Sequence, residues 1–314
     1  MKILLPDNTP LDPDLPPGVE AVRYSPSKPV PPEHHDAEIL VSWGQSGSGS
    51  LADTAQALTR LRWVQSLAAG PDAVLAAGFA DDVIITSGRG LHDRTVAEHA
   101  LALTLAGLRR FPELAEARRE HRWAREVGGV QALHPADRVT TLLGAHVLIW
   151  GFGGIGRTLA RYLDALGAHV RGVARSAGER DGFPVVAEDD VDEELRNADV
   201  LVLILPSSPD TDHVLDAERL ALLPSRAWVI NVGRGSTVNE AALVAALEAG
   251  TLGGAGLDVF ETEPLPADSP LWDAPNVIIS PHSAGGRPVG VDELLSENLA
   301  AFVAGKPLRN VIER

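Results

Sequence analysis

Short aliphatic runs alternate with helical stretches along most of this chain, and no other feature narrows its fold as much. Lys2–Leu5, Val19–Tyr24, Ile39–Trp43, Trp63–Leu67 and Val83–Thr86 are apolar on both faces and bounded by Pro, Gly, Asp and Ser. That is the pattern of strands buried in a parallel sheet. The proline-rich segment Pro26–Pro32 reads as a loop. Arg94 to Leu108 then reads as a long helix, with Ala97, Leu101, Leu105 and Leu108 on one face and Asp93 as its N-cap. The charged stretch Glu113–Glu126 fits two descriptions: a solvated helix that docks Trp123, or an arm that packs on a second subunit.

A second series starts at His146. It predicts strands at Val147–Trp150, Val170–Ala174, Val200–Leu205, Ala227–Val232, Ala255–Val259 and Val277–Ser280, with helices at Gly154–Leu166, Val191–Ala198 and Glu240–Ala249. The stripe expected on the first of these helices is Ile155, Leu159, Leu163 and Leu166. Repeated βα units imply a parallel sheet covered on both faces, so the chain is expected to be α/β, with two doubly wound domains. A length of 314 residues suits two domains.

Charge and composition exclude several functions. Lys and Arg number 27 against 43 Asp and Glu, a net charge of −16. Nucleic acid and anionic membrane both demand a basic surface, so neither is an expected partner. The chain has no cysteine, which rules out disulfides, thiolate metal sites and cysteine nucleophiles. No metal site is expected. The N-terminus reaches proline and aspartate too early for a signal peptide, and no apolar run approaches the ~20 residues of a membrane span. The expected location is the cytoplasm.

Gly151-Phe152-Gly153-Gly154-Ile155-Gly156 satisfies G-x-G-x-x-G. The pattern means little alone in a chain with 30 glycines, but here it follows a predicted strand and opens a predicted helix. Glycines permit the tight turn and let a pyrophosphate approach the positive helix N-terminus. About 20 residues on, NAD enzymes usually place an acid against the ribose 2′-hydroxyl. Here the strand ends Val173-Ala174-Arg175-Ser176, with Arg180 close behind. An arginine suits a 2′-phosphate, so the expected cofactor is NADP, with NAD as the alternative.

Three polar stretches occur where strands should end: Asn231-Val232-Gly233-Arg234-Gly235, Asp258-Val259-Phe260-Glu261-Thr262-Glu263-Pro264 and Ser280-Pro281-His282-Ser283-Ala284. Open α/β sheets bind ligands just beyond strand carboxyl ends. Singly, Arg234, Glu263 and His282 could be a loop charge, a turn carboxylate and a satisfied histidine. Their order downstream of a dinucleotide loop points to an active site.

With these stretches, Thr95-Val96-Ala97-Glu98-His99-Ala100, Leu205-Pro206 with Thr211, and the ending Gly305-Lys306-Pro307-Leu308-Arg309-Asn310-Val311, the chain resembles the D-isomer-specific 2-hydroxyacid dehydrogenases. Within that family it looks like the glyoxylate/hydroxypyruvate reductases. The resemblance runs from about Leu61 to the C-terminus. It implies a Rossmann nucleotide-binding domain, residues 95–284, inserted into a flavodoxin-like substrate domain, residues 1–94 and 285–314, with the active site in the cleft. Arg234 would hold the substrate carboxylate and polarise the keto oxygen. His282 would be the acid/base, and Glu263 would orient its ring and stabilise its charge. These roles suit hydride addition, which builds negative charge on oxygen. Gly151 to Gly156, Arg175, Ser176, Leu205, Pro206, Thr211, Asn231, Val232, Gly233 and Asp258 would bind the cofactor, with Asp258 on its nicotinamide side. Amides near Ala69 and Gly70 would hold the substrate carboxylate from the other domain. A homodimer joined through residues 94–140 is also implied.

Two departures bear on substrate. Arg287 stands where relatives often carry a small hydroxyl residue. The loop Trp43-Gly44-Gln45-Ser46-Gly47 lacks the arginine of phosphate-handling relatives, which turns the expectation from phosphoglycerate to a small unphosphorylated acid. Trp43 is either a pocket wall or core. A cofactor-sensing co-repressor on the same fold is a rival from another class, and phosphoglycerate, phosphite or formate oxidation are closer ones. Glu263 speaks against formate.

Overall fold

The computed structural model describes residues 1–44 and 49–313. The chain divides into two compact units: Met1–His92 with Arg287–Arg314, and Asp93–Gly286.

In the first unit, strands β1 (Lys2–Pro6), β2 (Glu20–Tyr24), β3 (Ile39–Ser42), β4 (Trp63–Ser66) and β5 (Ile84–Thr86) form a parallel sheet in the order β2-β1-β3-β4-β5. This is the flavodoxin-like order. Leu4 pairs with Val22 on one side and Leu40 on the other, which fixes the register. Strands β3 and β4 are buried throughout, as their unbroken apolar runs require, whereas the edge strand β2 exposes Glu20 and Ala21. Helices α1 (Leu51–Ala57) and α2 (Asp72–Ala76) lie in the connections. The C-terminal helix Val291–Val303 returns to this unit. It buries Val291, Leu294, Leu295 and Leu299 with Ile3, Ile39, Val41 and Trp63, each such side chain contributing about 1.5–3 kcal/mol relative to exposure. Asn298, almost fully buried, donates to Gln65 Oε1 at 3.0 Å and accepts from the Arg309 amide at 2.8 Å.

The second unit holds α3 (Asp93–Leu108), α4 (Phe111–Arg119), β6 (His146–Trp150), α5 (Gly154–Ala165), β7 (His169–Ala174), β8 (Gly178–Arg180), β9 (Phe183–Ala187), α6 (Val191–Leu195), β10 (Val200–Leu203), α7 (Ala217–Leu220), β11 (Trp228–Asn231), α8 (Glu240–Glu248), β12 (Gly254–Leu257) and β13 (Val277–Ile279). Strand order is β13-β12-β11-β10-β6-β7-β9-β8, parallel except for the β8–β9 pair. The order reverses between β6 and β10, the position where doubly wound sheets open a ligand crevice. Successive strand residues point to opposite faces. Val147 and Ile149 accordingly join the core under α3 and α5, while Leu148 and Trp150 join the one under α6 and α8.

Several elements differ from the sequence-based expectation. Helix α3 buries Val96, Ala100, Leu103 and Gly107 together with Ala97, Thr104 and Leu108, leaving Leu101 and Leu105 only partly covered. The helix is apolar nearly all round, so contact decides its face: a Cβ at Gly107 would lie 2.4 Å from the Trp228 ring. Asp93 opens the helix instead of preceding it. Helix α5 stops at Ala165, and Leu166 is 44% exposed. Helix α6 ends at Leu195, short of the expected Ala198. Trp123 does not dock on this chain, being 86% exposed, and Phe111 is 58% exposed. The β8–β9 hairpin was not expected. Its turn, Asp181-Gly182, has positive φ at both positions, 55° and 86°, as a two-residue hairpin turn requires. Among the described residues no helix is long and apolar enough to cross a membrane.

Candidate active site

The glycine loop leaves β6 and enters α5. Gly151 has φ +105°, and a Cβ there would lie 2.4 Å from the Ile204 carbonyl oxygen just after β10. Gly156 lets the helix approach: its Cβ would lie 2.6 Å from the Gly151 carbonyl oxygen. A Cβ at Gly153 would meet nothing within 4 Å, so the loop presents open space beside the α5 N-terminus. A close turn, open space and a helix N-terminus together fit a dinucleotide pyrophosphate. Phe152 is different, since its side chain is core. It is 2% exposed and packs on Gly172 in β7, where a Cβ would lie 2.4 Å from the ring.

At the end of β7, Arg175 and Ser176 are exposed, and Arg175 makes no hydrogen bond or ion pair among the described residues. Arg180, delivered by the unexpected hairpin, donates to the Phe152 carbonyl at 3.2 Å and to Ser176 Oγ at 3.2 Å. Arg180 therefore lies against the glycine loop, and Arg175 stands exposed just after β7. The hairpin is anchored by Asp181, which pairs with Arg161 at 2.7 Å and Arg157 at 3.4 Å, both on α5.

Beyond β10, Thr211 Oγ1 donates to the Pro206 carbonyl at 2.7 Å and accepts from the Ser208 amide at 2.9 Å, closing the loop after Leu205. Gly233 packs on that loop, where a Cβ would lie 2.7 Å from Leu205 backbone atoms. Buried Asn231 shapes the turn after β11: its Oδ1 accepts from the Gly233 amide and its Nδ2 donates to the Arg234 carbonyl, both at 3.0 Å. Val232 is buried, and Arg234 is partly exposed, its Nη1 donating to the Gly233 carbonyl at 2.7 Å.

The loops after β12 and β13 meet. His282 Nδ1 lies 2.7 Å from Glu263 Oε2, while Glu263 Oε1 accepts from the Phe260 amide at 3.1 Å. The Glu263 carboxylate therefore fixes the imidazole and is itself fixed. Side-chain exposures are 48% for His282 and 35% for Glu263, and His282 Nε2 has no hydrogen-bond partner among the described residues. His282 sits in the left-handed region at φ 49°, a conformation costly for a non-glycine residue. Its amide donates to the Asp258 carbonyl at 2.8 Å.

The Asp258 side chain is fully buried. Its carboxylate accepts from Ser280 Oγ at 2.6 Å, from the Ser283 amide at 2.9 Å and from the Ala284 amide at 3.0 Å. His99 Nε2 lies 3.2 Å away. Burial pushes this carboxyl up, but His99, Ser280 and the two amides outweigh it and hold the group below the ordinary carboxylate range.

A second acidic group borders the couple. Glu240 and Glu261 each accept from the other's backbone amide, at 2.7 and 2.9 Å, and His213 Nε2 lies 3.0 Å from Glu261. Burial, with the charges of Glu261 and Glu263, pushes the Glu240 carboxyl up against the lowering effect of the Glu261 amide and His213. Sequence reading missed His99, His213 and Glu240 as parts of this region. Only His99 lay in a stretch already singled out.

Ala69 and Gly70 belong to the first unit, in the loop after β4. The Ala68 carbonyl accepts from the Gly88 amide at 2.8 Å, while the amides of Ala69 and Gly70 have no partner among the described residues. His92 reaches the preceding Leu67 carbonyl at 2.7 Å, and its ring stacks on Trp43 at 5.4 Å. Trp43 is half-buried, packing on the core with one face on His92. Gln45, Ser46 and Gly47 lie outside the described residues. Arg287 is exposed. Among the described residues no three His, Asp or Glu are grouped to hold a metal.

A glycine-turn dinucleotide site, with a basic residue and a carboxylate-held histidine at neighbouring strand ends, defines a nicotinamide-dependent oxidoreductase. Residues 101–284 match the model of the D-isomer specific 2-hydroxyacid dehydrogenase NAD binding domain. The chain is 35% identical over 268 residues to glycerate dehydrogenase of Methylorubrum extorquens, covering 83% of this chain and 82% of the relative. It is similar in structure to a D-isomer specific 2-hydroxyacid dehydrogenase family protein from Aeromonas salmonicida (TM-score 0.83, 32% identity, 99% and 98% covered). It is likewise similar to an NADPH-dependent glyoxylate/hydroxypyruvate reductase from Sinorhizobium meliloti in complex with NADP and sulfate (TM-score 0.79, 28% identity, 99% and 98% covered). The chain belongs to the D-isomer-specific 2-hydroxyacid dehydrogenase family, and its chemistry is hydride transfer between a nicotinamide cofactor and a 2-hydroxy or 2-keto acid.

Proposed function

We propose that this protein reduces a small unphosphorylated 2-keto acid of the glyoxylate or hydroxypyruvate kind to the D-2-hydroxy acid, with NADPH. The observation that carries this reading is the His282–Glu263 couple, in which Nδ1 is engaged at 2.7 Å and Nε2 is left to a ligand. When bound, the reduced nicotinamide supplies the hydride to the keto carbon. His282 donates the Nε2 proton to the keto oxygen, and Glu263 holds the ring as it passes between charge states. Arg234 binds the substrate carboxylate and draws charge from the keto oxygen.

For the cofactor, Arg175, Ser176 and Arg180 support a 2′-phosphate, and the Sinorhizobium meliloti reductase is an NADPH enzyme with NADP bound. The test is a panel of 2-keto acids assayed with NADPH and NADH by the loss of reduced-nicotinamide absorbance. Glyoxylate and hydroxypyruvate should turn over fastest, and NADPH should give the higher kcat/KM. Saturable NADPH binding without turnover of any acid would instead favour a cofactor-sensing regulator.

The protein is also read as a homodimer. Phe111, Leu114, Trp123, Val130 and Leu133 are all exposed between residues 111 and 133, and a contiguous apolar patch marks a protein contact. Light scattering should give twice the chain mass, and Trp123→Asp should lower it.

A further inference from the structure

His99 has no assigned role, although it sits in one of the stretches that carry the family resemblance. It projects from α3 and its side chain is 24% exposed. Its Nε2 lies 2.8 Å from Ser280 Oγ and 3.2 Å from Asp258 Oδ1. Ser280 has a single hydroxyl proton, and that proton is directed to Asp258 Oδ1 at 2.6 Å. Ser280 Oγ can then only accept from His99, so His99 Nε2 carries a proton shared between the hydroxyl and the carboxylate.

Asp258 is fully buried, and a buried carboxylate without compensating donors is costly. It collects the amides of Ser283 and Ala284, and its backbone carbonyl takes the amide of His282. These bonds bracket the left-handed residue at φ 49° that carries the reactive ring. Among the described residues, His99 is the one side chain touching the Asp258 carboxylate that can carry a positive charge.

We propose that His99 is a positioning residue for His282: through Ser280 and Asp258 it holds the Ser280–Ala284 loop in the one geometry that lets Nδ1 meet Glu263. The role assigned to His282 rests on the function proposed above. Two acidic residues after β12 thus divide the work: Asp258 holds the backbone, its carbonyl taking the His282 amide and its carboxylate the Ser283 and Ala284 amides, and Glu263 holds the ring, with His99 completing the first. Without His99 the buried carboxylate takes up a proton or turns away, one of its amide bonds is lost, and the ring shifts. A displacement of about 1 Å near the chemistry can cost on the order of a hundredfold in rate.

The test compares wild type, His99→Ala, His99→Gln and Ser280→Ala in the full-length protein. Glutamine keeps an N–H donor at similar reach. The first readout needs no substrate: the NMR resonance of the His282 Nδ1 proton, assigned by its loss in His282→Gln. It should be present in wild type, lost to exchange in His99→Ala, and restored in His99→Gln. The second is kinetic. In His99→Ala, kcat should fall about ten- to a hundredfold, while NADPH affinity by fluorescence titration stays within about twofold, and His99→Gln should recover most of the loss. Ser280→Ala cuts the hydroxyl relay and should give a smaller change of the same kind, which decides the matter if His99→Ala does not fold.

An unchanged Nδ1 resonance in the alanine variants overturns the proposal. So does a loss that glutamine fails to restore, or one matched by lost NADPH affinity, since both mark a general packing defect. If wild type reduces no 2-keto acid, the functional reading fails, and the resonance still decides the role of His99.

Discussion

The cofactor preference can be tested residue by residue at the end of β7. Arg175 is exposed and has no partner among the described residues, so its contribution should come only from the 2′-phosphate. One charge-assisted contact contributes about 1.5–3 kcal/mol, and exposure to solvent puts Arg175 at the lower end. Arg175→Ala should therefore weaken NADPH about tenfold, at 1.4 kcal/mol per decade, and leave NADH nearly unchanged. Arg180 differs because its guanidinium already holds the Phe152 carbonyl and Ser176 Oγ, each at 3.2 Å. Arg180→Ala should weaken NADPH by at least as much. It should also weaken NADH by a few-fold, because the turn that both cofactors use loses a brace. The double variant should lose on the order of a hundredfold for NADPH. Ala174→Asp with Arg175→Ala should place an acceptor for the ribose hydroxyl and reverse the preference. The assay is kcat/KM for both cofactors at saturating keto acid. The reasoning fails if wild type already favours NADH, or if Arg175→Ala weakens both cofactors equally.

Other outcomes follow from the same geometry. His282→Ala should lower kcat by roughly 10²–10⁴-fold while NADPH still binds, because a positioned acid/base has that weight; near-normal turnover would remove His282 from the mechanism. Arg234→Lys should recover only part of the loss seen in Arg234→Ala, since lysine cannot reproduce a planar two-pronged grip on a carboxylate. A lysine variant equal to wild type in kcat and KM would refute the bidentate contact. Glu240 should show as a pH-dependent cost. Its folded-state pKa lies above its ordinary 4.5, so the folded protein binds this proton more tightly than the unfolded chain does. Ionised Glu240 therefore reduces stability above that window, and stability returns as pH falls through it. Glu240→Gln, which keeps an oxygen for the Glu261 amide, should melt at or above wild type near pH ~7, with the gap closing as pH falls toward the ordinary carboxylate range. A variant clearly less stable than wild type at neutral pH would refute this.

Much of the second unit was legible because its decisive signals are local. Strand β6, the glycine turn and α5 are consecutive, and each glycine answers a requirement set within a few residues or by the adjacent strand. The β8–β9 hairpin was legible in principle from Asp181-Gly182, but its strands are too short to show period-2 alternation. The face of α3 was not legible, because a helix apolar nearly all round offers no stripe to read. Gly107 against Trp228 decides its orientation, and that contact joins positions far apart in the chain. Trp123 left two descriptions open for a related reason: an aromatic residue in a charged segment does not say whether its contact lies in the same chain.

In the site, residue type at a strand end was informative by itself, while residue role came only from the family resemblance. Asp258 and Glu263 are both acids after β12, and nothing in their spacing separates them. The fold gives them opposite environments. Asp258 is fully buried, with donors from Ser280, Ser283 and Ala284 and with His99 beside it, while Glu263 stays partly exposed and keeps one oxygen for His282. The difference comes from what stands opposite each carboxylate, and for Asp258 this includes a histidine whose contact with Ser280 spans 181 positions. No periodicity or motif reaches across such a separation. A left-handed histidine makes the consequence concrete. The conformation at His282 is unfavourable by itself and persists because its neighbours over-determine it. The groups that hold it therefore decide where the His282 ring sits as much as the residue itself does.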